Sequence, residues 1–242
     1  MQDRVRRAIS PTHEEIAALP LSANARIARE LLGEACGSVL DIGCGEGKFT
    51  RALTAFVGRV AGVDVKANKI AMALEACTRE GVSVDFRVAS GEDLPYADGA
   101  FGAVVFSNSL HHMPAPAKAL REALRVLKPG GLLYVMEPVP AGNYFEATKF
   151  VNDETVVRTE AYVELCKMEG AEPVREILYR AERSFDAFEE WRSDQIDRDP
   201  RREAKFDAGA DEVRNSFESS AVRHDGKLVF NQVFRVNLLR KD

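Results

Sequence analysis

A chain of 242 residues, 45% apolar and 29% charged, is long enough to bury a full core and too evenly composed to be disordered. Its formal net charge of −5 argues against nucleic acid as a partner, because an acidic surface repels a phosphate backbone. Cys36, Cys44, Cys77 and Cys166 stand far apart with no C-x-x-C pair, so neither a disulfide framework nor a metal site is expected.

The N-terminal run MQDRVRRAISPTHEE has no apolar stretch behind its charges. No window approaches the roughly 18 apolar residues needed to cross a bilayer. A cytoplasmic protein without membrane contact is therefore expected. Ser10 and Pro11 predict a helix start, with Glu14 and Glu15 complementing its dipole. A second helix is predicted over 22–35, with Ile27, Leu31 and Leu32 at helical spacing. Residues 1–37 thus read as N-terminal helices, either packed on the main domain or forming a lid.

From 38 to 138 the pattern alternates. Strands are predicted at 39–42, 60–63, 84–88, 103–106 and 132–135, and helices at 67–80 and 115–127. Gly81 stops the first helix and the run Lys128-Pro129-Gly130-Gly131 stops the second. Such alternation implies a mainly parallel sheet with helices on both faces. Residues 139–242 read as a substrate-side helical insertion and C-terminal strands completing the same domain. Helices are predicted over 143–170, 186–196 and 201–219, with a strand at 174–179. Arg198, Arg201, Arg202 and Lys205 alternate with acids as a solvated face does. Leu228, Phe230, Phe234, Val236 and Leu238 lie on one face of an antiparallel strand entered through an Asp225-Gly226 turn.

The chemistry concentrates in Val39-Leu40-Asp41-Ile42-Gly43-Cys44-Gly45-Glu46-Gly47-Lys48, a buried strand running into glycines and then a helix. Glycine lets the backbone adopt positive φ and approach a ligand closely. Ligands of doubly wound sheets gather at the carboxyl ends of the strands, where this loop falls. Asp64 follows at the end of the next strand, placed to accept hydrogen bonds from both hydroxyls of an adenosine ribose. A dinucleotide fingerprint needs a third glycine where Lys48 stands. Asp41 and Glu46 add negative charge that suits a ligand with a positive end.

On these blocks the chain resembles the class I S-adenosylmethionine (SAM)-dependent methyltransferases, in particular the small-molecule group called methyltransferase type 11. VLDIGCGEGKFT resembles that family's glycine motif and VAGVDV its second strand. VASGEDLPYADGAFGAVVFSNSLHHM resembles its third and fourth strands, and LREALRVLKPGGLLYVMEP the following helix and fifth strand. The resemblance implies a Rossmann-like, doubly wound sheet of seven strands with an antiparallel last strand. It implies SAM as cofactor and a small-molecule methyl acceptor with an O, N or C nucleophile. Asp41, Gly43, Cys44, Gly45 and Gly47 are then expected to border the methionyl part. Asp64 is expected to hold the ribose and Val65 to cover adenine. Gly91, Glu92 and Asp93 are expected along the adenine edge, and Ser107 and Asn108 near the methionyl ammonium. The chain departs from the family in Ala89-Ser90-Gly91-Glu92, where an acid followed by alanine is common, and in Gly102, where an Asp is common.

An acceptor that must lose a proton needs a base, and His112 or His111 after the fourth strand can provide one at neutral pH. Glu137 and Tyr144 are further candidates for substrate contact. Phe145, Phe150 and Trp191 either line an apolar pocket or belong to the core. The loop Ser107-Asn108-Ser109-Leu110 lacks the proline pair used to methylate amino groups of bases, which again points to a small molecule. Two other readings stand beside this one, a methyltransferase acting on a protein and a non-catalytic SAM-binding protein. A nicotinamide oxidoreductase is disfavoured by the missing glycine, and the oligomeric state is open.

Overall fold

The computed structural model describes residues 12–33 and 37–242. They form two compact units interleaved along the chain.

The larger unit holds residues 23–137, 157–177 and 235–242. Its strands are β1 (Ser38–Ile42), β2 (Arg59–Asp64), β3 (Asp85–Val88), β4 (Phe101–Ser107) and β5 (Leu127–Pro138). Two later strands, β6 (Ala171–Phe185) and β8 (Lys227–Lys241), contribute residues to both units. The strand order is β3-β2-β1-β4-β5-β8-β6, with a short β7 (Val222–His224) beside β8. The β1–β2, β1–β4, β2–β3 and β4–β5 pairs are parallel, and β7 with β8 is antiparallel. Seven strands therefore lie in order as the resemblance implies, and β7 is an eighth. Every residue of β1 is buried, as befits a central parallel strand covered on both faces.

The helices of this unit follow the apolar spacing. Helix α1 (His13–Ala18) precedes it in the chain. Then come α2 (Asn24–Leu32), α3 (Lys48–Leu53) after β1, α4 (Ala67–Glu80) after β2 and α5 (Pro116–Val126) after β4. The α4 helix buries Ile70, Ala73, Ala76 and Cys77 and ends at Gly81, whose φ of 68° is the left-handed cap glycine favours. Proline opens α5, and Ala119, Leu120, Ala123 and Val126 form its buried stripe. The helix ends at Val126, in agreement with the stop predicted at Lys128-Pro129-Gly130-Gly131, and that run already belongs to β5, which begins at Leu127 rather than at the predicted 132. The strand slips register, between Phe101 and Ala103 of β4. Gly131 allows this: a Cβ there would lie 2.8 Å from the Lys128 carbonyl and 3.0 Å from that of Gly102.

The smaller unit holds the described residues up to 22, together with 138–156 and 178–234. Thr12 caps α1: its hydroxyl accepts from the Glu15 amide at 3.2 Å, and the Glu15 carboxylate accepts from Thr12 N at 2.8 Å. The cap predicted at Ser10 and Pro11 lies outside the described residues, and the observed cap stands at Thr12. The predicted 143–170 helix is interrupted, giving α6 (Asn143–Thr148) and α7 (Thr155–Lys167), the latter running into the larger unit. Then follow α8 (Phe188–Arg198), α9 (Arg202–Ala208) and α10 (Ala210–Ser220). Gly209 divides the single helix predicted over 201–219. The predicted turn is present, with Asp225 at φ 47° and Gly226 at φ 78°, both left-handed as a tight two-residue hairpin requires.

The core of this unit is aromatic. Trp191 is fully buried and stacks on Phe217 at 4.7 Å between ring centroids, with Phe188 and Phe206 edge-on or tilted at 5.5 and 5.4 Å. Phe230 completes the cluster, 4.9 Å from Phe217. Arg202 does not fit the expected solvated face: half-buried, it donates to Gln195 Oε1 at 2.8 Å, and Gln195 in turn donates to the Tyr144 hydroxyl at 3.2 Å. Among the described residues, no helix is long and apolar enough to cross a membrane.

Because Phe217 contacts Trp191, Phe188 and Phe230 together, Phe217→Ala is expected to cost about 3–5 kcal/mol. Urea unfolding followed by the fluorescence of Trp191, the sole tryptophan of the sequence, measures it. A loss under about 1 kcal/mol would mean the cluster contributes little.

Candidate functional site

The β1–α3 loop turns through three left-handed glycines, Gly43 at φ 73°, Gly45 at 53° and Gly47 at 70°. Two of them are needed for packing. A Cβ on Gly43 would lie 2.6 Å from Ser109 Cβ, and one on Gly47 would lie 2.4 Å from Phe86 Cζ. At Gly45 a Cβ would meet nothing within 4 Å. This is the point where the bare backbone faces open space and a ligand can approach it.

Asp64, ending β2, is held by both oxygens. Gly45 N donates to Oδ2 and Lys66 N to Oδ1, each at 2.9 Å. Each oxygen keeps a further lone pair for a ribose hydroxyl. Val65, next along, is a large aliphatic side chain left 64% exposed, a surface that a planar base would cover.

Asp41, one residue before the end of β1, is 1% exposed. Thr50 donates its hydroxyl to Oδ2 at 2.6 Å, whereas Oδ1 is buried and accepts no hydrogen bond among the described residues. Burial pushes this carboxyl up to about 7, the Thr50 bond opposing and the Asp64 charge adding to the rise. Burial first, and then the charges of Asp41 and Asp64, push the Cys44 thiol up from its ordinary value. Cys44 is consequently no nucleophile near neutral pH.

A second buried acceptor stands on the neighbouring strand. Asn108 follows β4 with φ 56°, a left-handed conformation that costs a non-glycine residue energy. Its amide donates to Met136 O at 2.8 Å, and its side-chain Oδ1 is buried without a partner among the described residues. Ser107 is half-buried beside it. Ser109 donates to the Ile42 carbonyl at 2.5 Å and ties the two strand ends together.

The adenine-edge candidates separate by role. Gly91 is buried, and a Cβ there would lie 2.7 Å from Ile42 Cγ2. Glu92 is engaged by Ser90 Oγ and, at 3.2 Å, by Ala115 N. Partial burial works against its ionisation, but the bonds from Ser90, Ala115 and its own amide outweigh it and hold the carboxyl below its ordinary range. Asp93 is exposed.

The two histidines also differ. His111 lies in a 3-10 turn (Leu110–His112), is 6% exposed and hydrogen-bonds Glu137 Oε2 through Nδ1. The other Glu137 oxygen accepts from Leu110 N at 2.9 Å and His111 N at 3.4 Å. Glu137, singled out for substrate contact, thus holds the histidine turn. His112 is exposed, its ring 3.9 Å from that of His111. In the smaller unit, Tyr144 and Trp191 are core residues, Phe145 is half-buried and Phe150 is 41% exposed. Thr50, Ser109 and Ser90 escaped the sequence reading. For Thr50 the signal was available, since it lies in the first turn of α3, directly after the glycine loop.

Folding favours the protonated form of Asp41, because its folded value near 7 lies above its unfolded one. That contribution is full below about pH 4 and is lost as pH rises towards 7. Asp41→Asn is therefore expected to raise the melting temperature at pH 8 by about 4 °C or more, with the gain vanishing near pH 4. Equal shifts at both values would refute a buried acid as the cause.

Residues 40–135 match the family model described as a methyltransferase domain. The chain is 37% identical over 124 residues to 27-O-demethylrifamycin SV methyltransferase of Amycolatopsis mediterranei, covering 48% of this chain and 46% of that protein. It is 36% identical over 98 residues to a ubiquinone biosynthesis O-methyltransferase of Xanthomonas axonopodis, covering 40% and 41%. The chain spans about half the length of the curated relatives it matches. A SAM-dependent methyltransferase from Aquifex aeolicus shares the fold, with a TM-score of 0.54 at 21% identity over 73% of this chain and 92% of that one. Over residues 40–135, then, this chain is similar to the methyltransferase domain family.

Proposed function

We propose that the chain transfers the methyl group of S-adenosylmethionine to an oxygen, nitrogen or carbon nucleophile of a small molecule. One observation carries this reading: two buried oxygens without partners, Asp41 Oδ1 and Asn108 Oδ1, near the carboxyl ends of the adjacent strands β1 and β4. Leaving such an acceptor unsatisfied costs about 1–3 kcal/mol each, so a donor from a ligand is well rewarded. Two acceptors suit an ammonium and repel a phosphate, which favours a methionyl group over a dinucleotide.

SAM, when bound, supplies an electrophilic methyl group on a sulfonium. Asp41 and Asn108 would hold its ammonium, Asp64 its ribose hydroxyls, and Val65 would cover the base. Orientation of the acceptor then carries much of the rate, since an in-line displacement is sensitive to alignment. Where the acceptor must lose a proton, His111 is the base. Glu137 accepts the hydrogen bond of Nδ1–H, which keeps that proton on Nδ1 and leaves Nε2 the basic nitrogen. His112 is the second candidate. A small-molecule acceptor agrees with the names of the rifamycin and ubiquinone relatives and with the acidic balance of the chain.

Calorimetric titration with SAM, S-adenosylhomocysteine and NADH tests the cofactor. Binding of the first two at about micromolar Kd, lost in Asp64→Ala, is expected; binding of NADH alone would overturn the proposal. Once an acceptor is found by screening, the base is tested by pH profile. Glu137→Gln is expected to lower kcat about 10²-fold or more and to move the acidic limb, with KM for SAM unchanged. Wild-type turnover in both His111→Ala and His112→Ala would exclude either histidine as base.

A further inference from the structure

The loop between β3 and β4 carries the adenine-edge candidates, and helix α5 grips it on both sides of Asp93. On the near side, the Ala115 amide at the start of the helix donates to Glu92 Oε1 at 3.2 Å. Glu92 N and Asp93 N turn back onto Ser90, at 3.1 Å to Oγ and 3.2 Å to the carbonyl. On the far side, Glu122 Oε2 accepts from Leu94 N at 2.9 Å. Arg125 donates to the carbonyls of Leu94 at 3.0 Å and Tyr96 at 2.7 Å and to Asp98 Oδ1 at 2.9 Å. The guanidinium also forks onto Glu122, with both contacts at 2.8 Å.

Leu94 is thereby fixed at both its amide and its carbonyl by one ion pair, and its own side chain is 4% exposed. Glu92 has its carboxylate engaged by Ser90 in the loop and by Ala115 at the start of α5. Asp93, between these two anchors, is the exposed acid. Bidentate contacts of this kind specify geometry as well as adding energy.

We propose that Glu122 and Arg125 are positioning residues for the cofactor. By fixing the backbone of Leu94, they aim the Asp93 carboxylate at the exocyclic amine of the adenine. This rests on the reading that residues 91–93 border that base. Neither residue touches the ligand, and both act through the loop. Arg125 also holds the Glu122 carboxyl down to about 2, so the grip persists across the physiological pH range.

The test compares S-adenosylhomocysteine with S-inosylhomocysteine, in which a carbonyl oxygen replaces the amine. Kd is measured calorimetrically for wild type, Arg125→Met, Glu122→Gln and Asp64→Ala, with melting temperatures taken alongside. Wild type is expected to prefer the adenine form by about tenfold or more, and both clamp variants to bring that ratio towards one. A merely structural role would weaken both ligands alike and leave the ratio intact. An unchanged ratio in the clamp variants overturns the proposal, as does a wild type without preference. Wild type that binds neither ligand, or Asp64→Ala that binds as well as wild type, defeats the cofactor reading and the proposal with it. Should Arg125→Met fail to fold, the nearly isosteric Glu122→Gln carries the same comparison.

Discussion

Asp41 gives up its hydration near the end of β1, and the Thr50 hydroxyl is the one hydrogen bond the described fold returns to it. An acid in that state either keeps its proton or waits for a cation, and its ordinary acidity is suppressed accordingly. The neighbouring features serve the same point. The glycine loop leaves open space at Gly45, the strained Asn108 turns a second acceptor inward, and Ser109 ties the two strand ends. These features cost stability in the free protein, a cost commonly found where a ligand completes the structure.

The two units divide the physical work. The larger is built on parallel strands with buried aliphatic side chains, which fix the backbone from which the loops spring. The smaller is held by stacked and edge-on aromatic rings around Trp191 and by a polar chain from Arg202 through Gln195 to Tyr144.

Legibility in the sequence followed the range of the interactions. The parallel strands and α4 were readable because buried runs and helical stripes are local patterns, and Gly81 marks its own cap. The glycine loop and Asp64 were readable because their spacing is fixed by one strand, one loop and one helix. The Lys128–Gly131 stretch ends the helix as its residues predict, but its place inside β5 depends on a register slip against Phe101, which no local pattern records. The split at Gly209 and the capping role of Thr12 are local, but stronger signals beside them masked both. The roles of Glu137, Glu122 and Arg125 were hidden because each acts on backbone more than twenty residues away.

Under the proposed reading, Cys44 has a further significance. A thiolate lining such a loop would itself be a competent methyl acceptor, and its alkylation would leave a bulky thioether inside the motif. Burial and two flanking carboxylates keep the sulfur protonated and its lone pairs weakly nucleophilic. The same acids that suit the loop to a cationic ligand thus also raise the thiol that stands beside them.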